Sequence, residues 1–374
     1  MAALSRLQQR AILLPAVAWA ALIVATASHK SGDLTPQLGQ AERWLHGLPL
    51  YEANPSLGTW WPPFTVLVLA PFVPLARASL PLAKAAWAVL SIAGVTWSVV
   101  QVGRRWGWGP ALLALVIVAP ALHNSFEHGQ ITALLLALVV AAAVDLDDGR
   151  EVRAGAWSGA AAAAKAFPAL LLPYLAWTGR WRACVAGVGI AALLTIGVML
   201  PYGPVDAVRA VLDWLRLAAA APGTEGFAMQ KLGRLVRDLG GPPVVTIALA
   251  VGLLAACAAA LKRPAPRGDS LREVGLVTLV AVLLSPIGWY YYFGLLYPAW
   301  AAALRERPRA EERRLWYGAL VLAAVLTAAL PRLLITAPEL SFLAANNDTL
   351  GALLLFALLV GARWRAVHPD PQVT

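Results

Sequence analysis

Four stretches of this 374-residue chain carry side chains whose types and spacing point to chemistry. Asp33 stands in a glycine-flanked turn, Ser31-Gly32-Asp33, just past the first apolar run. A carboxylate at a membrane surface can act as a general base on a hydroxyl; the alternative is a solvated or helix-capping aspartate. Lys165 follows Gly155-Ala156-Trp157-Ser158-Gly159 and five alanines, and Phe167-Pro168 comes directly after it. An ammonium emerging where a proline breaks an apolar helix can bind an anionic group such as a lipid phosphate. The alternative is a lysine reaching out from a helix end. His123, Asn124, Glu127, His128 and Gln130 cluster between two apolar runs. The histidines are five apart, not the four that place two zinc ligands on one helix face, so the cluster reads as polar lining of a cavity or as an ordinary turn. In Ser285–Trp300 the aromatics Trp289, Tyr290, Tyr291 and Tyr292 follow Ser285-Pro286. They can stack on a sugar face, or form an aromatic belt at the bilayer surface.

The elements that must position these groups are membrane helices. The chain is 60% hydrophobic and 13% charged, with a mean hydropathy of +0.67, whereas soluble domains run at about half apolar and about a quarter charged. Several windows of the roughly 17–25 residues needed to cross a bilayer carry no charge. The net charge of +10 therefore reflects Lys and Arg retained in cytoplasmic loops and not a nucleic-acid surface. The two cysteines, Cys184 and Cys257, lie in apolar runs and suit neither a disulfide framework nor a metal site. Sixteen tryptophans include Trp60, Trp61, Trp177, Trp181 and Trp364 at run ends, where interfacial anchors belong.

Apolar runs fall at 11–27, 62–80, 83–103, 109–123, 130–145, 153–178, 183–202, 243–262, 271–287, 290–304, 315–333 and 348–363. They predict an all-α polytopic bundle of about 10–12 transmembrane helices in a single domain over 1–374, with both termini cytoplasmic. Arg6 and Arg10 before the first run, and Ala25-Thr26-Ala27 at its end, resemble a cleaved signal. The run is nonetheless long enough to span and reads as an uncleaved helix. Lys262, Arg263, Arg267 and Arg272, then Arg305 to Arg314, then Arg363 and Arg365, mark inner loops. A plain alternation puts Arg104 and Arg105 outside, against that rule. The discrepancy is removed if a proline-broken segment, 62–84 or 153–178, dips without crossing. Two outer loops are long, 28–61 and 203–242. In the first, Leu38, Ala41 and Leu45 share a helix face while Gln37, Gln40 and Glu42 point elsewhere, as in a short interfacial helix. The second reads as two short helices separated at Gly223, the first with an apolar side of Val205, Val208, Val211 and Leu212.

Taken together and in order, these patterns resemble glycosyltransferase family 87, within the GT-C superfamily, whose members are similar to polyprenol-phosphate-mannose-dependent mannosyltransferases. The matching residues are Asp33, the Leu45-His46-Gly47 to Tyr51 segment, Pro62-Pro63-Phe64, Gly129-Gln130, Gly155 and Gly159 with Lys165 and Pro168, and Ser285-Pro286-Ile287-Gly288-Trp289. The resemblance covers most of the chain. Two departures stand out. Tyr290, Tyr291 and Tyr292 occupy the place of an acid and one or two histidines, and Met229-Gln230-Lys231 the place of Asn-Gln-Ser, with Arg234 and Arg237 following.

What the resemblance implies is inverting transfer of a sugar, mannose first, from a polyprenyl-phosphate carrier to a lipid or glycan acceptor on the outer face. Asp33 would be the base. Lys165, with Arg234 or Arg237 or the polar groups near Gln130, would hold the departing phosphate, and Gln230, His123, Asn124, His128, Trp289 and Tyr291 would line the substrate site. No obligatory cofactor or metal is expected, since protein cations can balance a lipid monophosphate. A transporter or lipid flippase is the competing reading, and a non-catalytic scaffold a third. Paired broken helices in two similar halves, which a carrier would show, are not visible in the sequence.

Overall fold

The computed structural model describes residues 6–30, 32–51, 61–220, 229–262, 268–328 and 341–367. Ser31, Trp60, Gly223, Arg263 and Arg267 lie outside these residues. The chain is helical, as its apolar runs require once backbone groups cannot reach water. The helices are α1 (Arg6–His29), α2 (Leu34–Leu45), α3 (Phe64–Leu69), α4 (Val73–Ala78), α5 (Leu80–Trp106) and α6 (Trp108–Glu127). Then come α7 (Thr132–Asp147), α8 (Glu151–Ala164), α9 (Leu171–Trp177), α10 (Trp181–Ile196), α11 (Pro204–Ala220) and α12 (Leu232–Asp238). The last are α13 (Pro243–Ala260), α14 (Ser270–Leu283), α15 (Tyr297–Arg305), α16 (Arg313–Ala328) and α17 (Ser341–Val367). Among the described residues five stretches are long and apolar enough to cross a membrane: Leu80–Trp106, Trp108–Glu127, Trp181–Tyr202, Pro243–Ala260 and Ser341–Arg365. The other expected spans are shorter helices or helices broken at proline.

Charged side chains gather the helix ends at one pole of the bundle. Arg105 at the end of α5 pairs with Asp148 after α7 (2.6 Å). The Trp106 indole donates to Asp147 and to the Gly268 carbonyl, both at 3.1 Å. Arg363 of α17 pairs with Asp269 and Glu273 at 3.2 and 3.1 Å, and Arg272 with Glu306 at 2.7 Å. The opposite pole is fixed by the Asp33 amide donating to the His128 carbonyl (2.9 Å) and by Lys84 donating to the Lys30 carbonyl. These contacts join the end of α1, the end of α6 and the start of α5.

Both proline-broken segments return to the pole they left. The α3–α4 segment, broken by a 3-10 turn at Ala70–Phe72, stays at the Asp33 pole, where Arg77 pairs with Glu42 of α2 (2.8 Å). The α8–α9 segment leaves the basic pole at Arg150, paired with Asp145 (2.6 Å). It turns at Lys165, which has an extended backbone, and returns to Arg180, paired with Glu273 (3.0 Å). Arg104 and Arg105 therefore share a pole with the other basic loops, so alternate spanning by all twelve runs does not hold. The turn at Lys165 is held by close packing of α8 on α10. A Cβ on Gly155 would lie 2.0 Å from the Ala183 carbonyl oxygen, and one on Gly159 2.2 Å from that of Gly187.

Two expectations are corrected here. Helix α2 does not lie free with only its apolar side covered: Gln37 and Gln40 are buried along with Leu34, Leu38 and Ala41, while Leu45 is exposed. Trp61 is buried, unlike the exposed Trp177, Trp181 and Trp364, and is therefore no interfacial anchor.

Candidate active site

A cavity of about 270 Å³ opens at the Asp33 pole and is lined by Asp33, Gln37, Gln130 and Lys165 together with Trp61, Trp289, Tyr291 and Tyr292. Six sequence-distant segments build it. Gly32, at φ +32°, brings Asp33 against the turn after α6, where a Cβ would sit 3.0 Å from the His128 carbonyl. Gly129, at φ +63°, closes the same contact from the other side, since a Cβ there would meet the Leu34 Cβ at 2.5 Å. Only glycine fits both positions. The result is that the Gln130 amide donates to Asp33 Oδ2, while Gln130 Oε1 is buried without a partner.

Lys165 enters from the opposite wall, capping α8 where Pro168 prevents its continuation. Its ammonium lies 5.3 Å from the Trp61 ring centroid and 5.5 Å from that of Tyr292, within reach of attraction to both π faces. The third wall follows α14: Ser285-Pro286 leads into Trp289, whose ring stacks on Tyr291 at 5.9 Å and 14°. Tyr291 in turn meets Tyr292 edge-on at 4.9 Å. One carboxylate, one ammonium and a set of fixed rings suit a polyhydroxylated ring bearing a departing anion.

The structure brings Asp33, Gln130, Lys165, Trp289 and Tyr291 together. It places the remaining candidates elsewhere. His123 and Asn124 lie in the last turn of α6, where His123 Nε2 is 3.5 Å from Glu127, itself paired with Lys30 at 3.1 Å. His128 sits behind the wall, its ring 6.1 Å from that of Tyr291. Gln230 is buried, its amide donating to the Ala344 carbonyl (3.2 Å) while its backbone N–H donates to the Gly288 carbonyl (2.7 Å). It braces the loop before Trp289 and does not line the cavity. Arg234 pairs with Asp238 (3.3 Å), and the exposed Arg237 lies 3.9 Å from the same carboxylate. Arg234 and Arg237 thus follow their own short helix and not the cavity. Unforeseen wall residues are Gln37, one helical turn beyond Asp33, together with Trp61 and Trp214. The buried Asn346, Asn347 and Asp348 of α17 were not foreseen either; Asn346 donates to Asp238 (2.9 Å) and Asn347 to the Leu326 carbonyl (2.6 Å). Among the described residues no three His, Cys, Asp or Glu converge to hold a metal ion.

The helical membrane bundle has a GT-C-type fold, and its aromatic-walled cavity at one pole holds both a carboxylate and an ammonium. ArnT from Cupriavidus metallidurans, solved bound to undecaprenyl phosphate, superposes with a TM-score of 0.52 over 95% of this chain and 78% of its own, at 17% identity. That likeness shows the shared fold. The chain belongs to glycosyltransferase family 87, whose profile matches residues 60–286. It is 30% identical over 302 residues to a polyprenol-phosphate-mannose-dependent alpha-(1-2)-phosphatidylinositol pentamannoside mannosyltransferase of Mycobacterium tuberculosis strain CDC 1551, covering 75% of this chain and 67% of the relative. A polyprenol-phosphate-mannose-dependent alpha-(1-2)-phosphatidylinositol mannoside mannosyltransferase of M. tuberculosis strain H37Rv is 28% identical over 297 residues, 70% of this chain and 67% of its own. The chain is a membrane glycosyltransferase, and family membership takes it out of the transporter class.

Proposed function

We propose that the chain moves a mannosyl unit from a polyprenyl-phosphate carrier to a lipid or glycan acceptor, at the outer face of the membrane and with inversion. The observation that carries this is the placing of Asp33 and Lys165 in one aromatic-walled cavity at the pole opposite the basic loops. Lys and Arg in short loops stay in the cytoplasm, which puts both termini inside and the cavity outside. The mannosyl donor is taken from the two mycobacterial relatives and the carrier chemistry is consistent with the lipid bound by ArnT.

In the reaction, the acceptor hydroxyl oxygen bonds to the anomeric carbon as the bond from that carbon to the phosphate oxygen breaks. The bonding pair leaves with the polyprenyl phosphate. Asp33 takes the hydroxyl proton, and attack on the face away from the phosphate inverts the anomeric centre. Gln130 fixes the carboxylate through its amide donation. Lys165 balances the charge gathering on the leaving phosphate, a role most effective where water is scarce. Trp289 and Tyr291 offer stacked rings to the sugar face. A lipid monophosphate carries little charge, so we assign its neutralisation to protein cations and no obligatory metal ion.

Purified protein supplied with radiolabelled polyprenol-phosphate-mannose and mixed lipid and glycan acceptors tests the reading. Asp33→Asn should insert normally and lose at least about 100-fold in turnover, and persistence of turnover overturns the base assignment. Lys165→Ala should raise the KM for donor more than for acceptor. Activity should survive EDTA; its loss, restored by a divalent ion, overturns the assignment of phosphate neutralisation to protein cations.

A further inference from the structure

A second concavity, about 560 Å³, lies beside the first and plays no part in the reaction as derived above. It falls within the roughly 300–1,000 Å³ of small-ligand sites. Three of its aromatic side chains are already locked. Trp44 donates its indole N–H to the Val198 carbonyl (3.0 Å), Tyr202 its hydroxyl to the Leu48 carbonyl (2.9 Å), and Tyr51 its hydroxyl to the Trp61 carbonyl (2.9 Å). Their polar tips are committed to backbone 10 to 154 residues away, so the rings form a rigid apolar wall at little further entropic cost.

Opposite stands α11, whose three faces have separate destinations. Val205, Val208, Leu212 and Leu215 face outward, Ala207 and Trp214 are buried, and the stripe of Asp206, Arg209 and Asp213 lines the concavity. Asp206 pairs with Arg209 at 2.9 Å and Asp213 with Arg216 at 3.1 Å, each through Oδ1, so the stripe carries no surplus positive charge to draw a phosphate, and the second oxygen of each carboxylate is left to accept from a ligand. Carboxylate acceptors opposite fixed aromatic rings match vicinal hydroxyls on a neutral sugar ring.

The two concavities share a wall. Trp214, next to Asp213, lines the catalytic cavity, as does Trp61, whose carbonyl holds Tyr51. The catalytic cavity, about 270 Å³, must also hold the donor sugar and its phosphate, so an acceptor longer than its reacting sugar extends beyond it. We infer that the concavity between α2 and α11 is an acceptor subsite, holding a neutral hexose unit adjacent to the one that reacts. This rests on the transfer reaction proposed above.

The test uses the full-length protein, methyl mannosides of one and three residues, and the trimannoside on a lipid anchor. Asp206→Ala with Asp213→Ala should lower the ratio of kcat/KM for the three-residue over the one-residue acceptor about tenfold, as expected for lost charged hydrogen bonds. The drop should appear with soluble and lipid-anchored trimannoside alike. Ala210→Phe, which fills the concavity without altering a charge, should do the same. Saturation-transfer NMR of the soluble trimannoside should weaken in both variants. An unchanged ratio, or a change confined to the lipid-anchored acceptor, overturns the subsite. If the wild type transfers to no acceptor, the transfer reaction fails instead. The NMR contrast still decides the subsite in that case: equal saturation transfer in wild type and variants overturns it.

Discussion

Asp33 is held at both ends: its backbone N–H donates to the His128 carbonyl at 2.9 Å, and its carboxylate Oδ2 accepts from the Gln130 amide. A hydrogen bond to a charged group contributes about 1.5–3 kcal/mol. Gln130→Leu should therefore cut turnover by about ten- to a hundredfold with little loss of folded protein, measured as kcat in the labelled-donor assay. Gly129→Ala tests the same juxtaposition from the backbone. Gly129 and Gly47 both have positive φ, +63° and +66°, but only at Gly129 would a Cβ collide, whereas Gly47 has nothing within 4 Å. The Gly129 variant should lose turnover that the Gly47→Ala control retains; equal losses would mean that backbone conformation and not the close approach matters. At this scale much of the site was legible in the sequence. Asp33, Lys165 and Gln130 each break a local pattern, a charge or amide beside a glycine or proline in apolar surroundings. Trp61 and Trp214 break none, because a tryptophan near the membrane surface looks the same in the sequence whether it faces lipid or a cavity. Gln37 is not legible as a wall residue, because the apolar face of α2 reads as that of an interfacial helix with its polar side free, whereas α3 and α4 pack against α2 and Gln37 is buried.

At the scale of elements, the device that matters is the turn at Lys165. Proline alone explains why α8 stops, but the direction in which the chain leaves is set by α8 pressing on α10 through Gly155 and Gly159. A Cβ at either would sit within 2.0–2.2 Å of a carbonyl oxygen on the facing helix, so even alanine forces the helices apart. Overpacking of this kind costs about 1–3 kcal/mol. Gly159→Ala should lower the melting temperature in detergent by a few degrees and reduce donor use with it, since Lys165 moves with the end of α8. Gly189→Ala on α10, where a Cβ meets nothing within 4 Å, should do neither. Identical melting curves for the two variants would show that this contact does not hold the turn. The small-residue spacing was readable in the sequence. The partner helix was not, because Ala183 and Gly187 sit in a featureless apolar run.

For the whole molecule, topology decides which pole faces which compartment, and here two broken segments outweigh simple alternation. If all twelve apolar runs crossed, Arg104 would lie on the same side as Leu48 in the first long loop. Since the α3–α4 segment stays at the Asp33 pole, Arg104 lies instead with Arg153 and Arg307, beside the basic loops. The energetic reason is that proline removes ladder donors in both segments, and a broken helix is tolerable only where protein covers it; α2 covers one and α10 the other. Cys184 and Cys257 are unpaired and can be replaced by serine to give a background for single cysteines at the exposed positions 48, 104, 153 and 307. A membrane-impermeant maleimide applied to intact cells should label position 48 alone, and the other three only after permeabilisation. Labelling of 104 together with 48 in intact cells would restore strict alternation. Lys165 would then no longer be carried to the Asp33 pole by a returning hairpin, and the pairing of base and cation on which the reaction depends would lose its structural support.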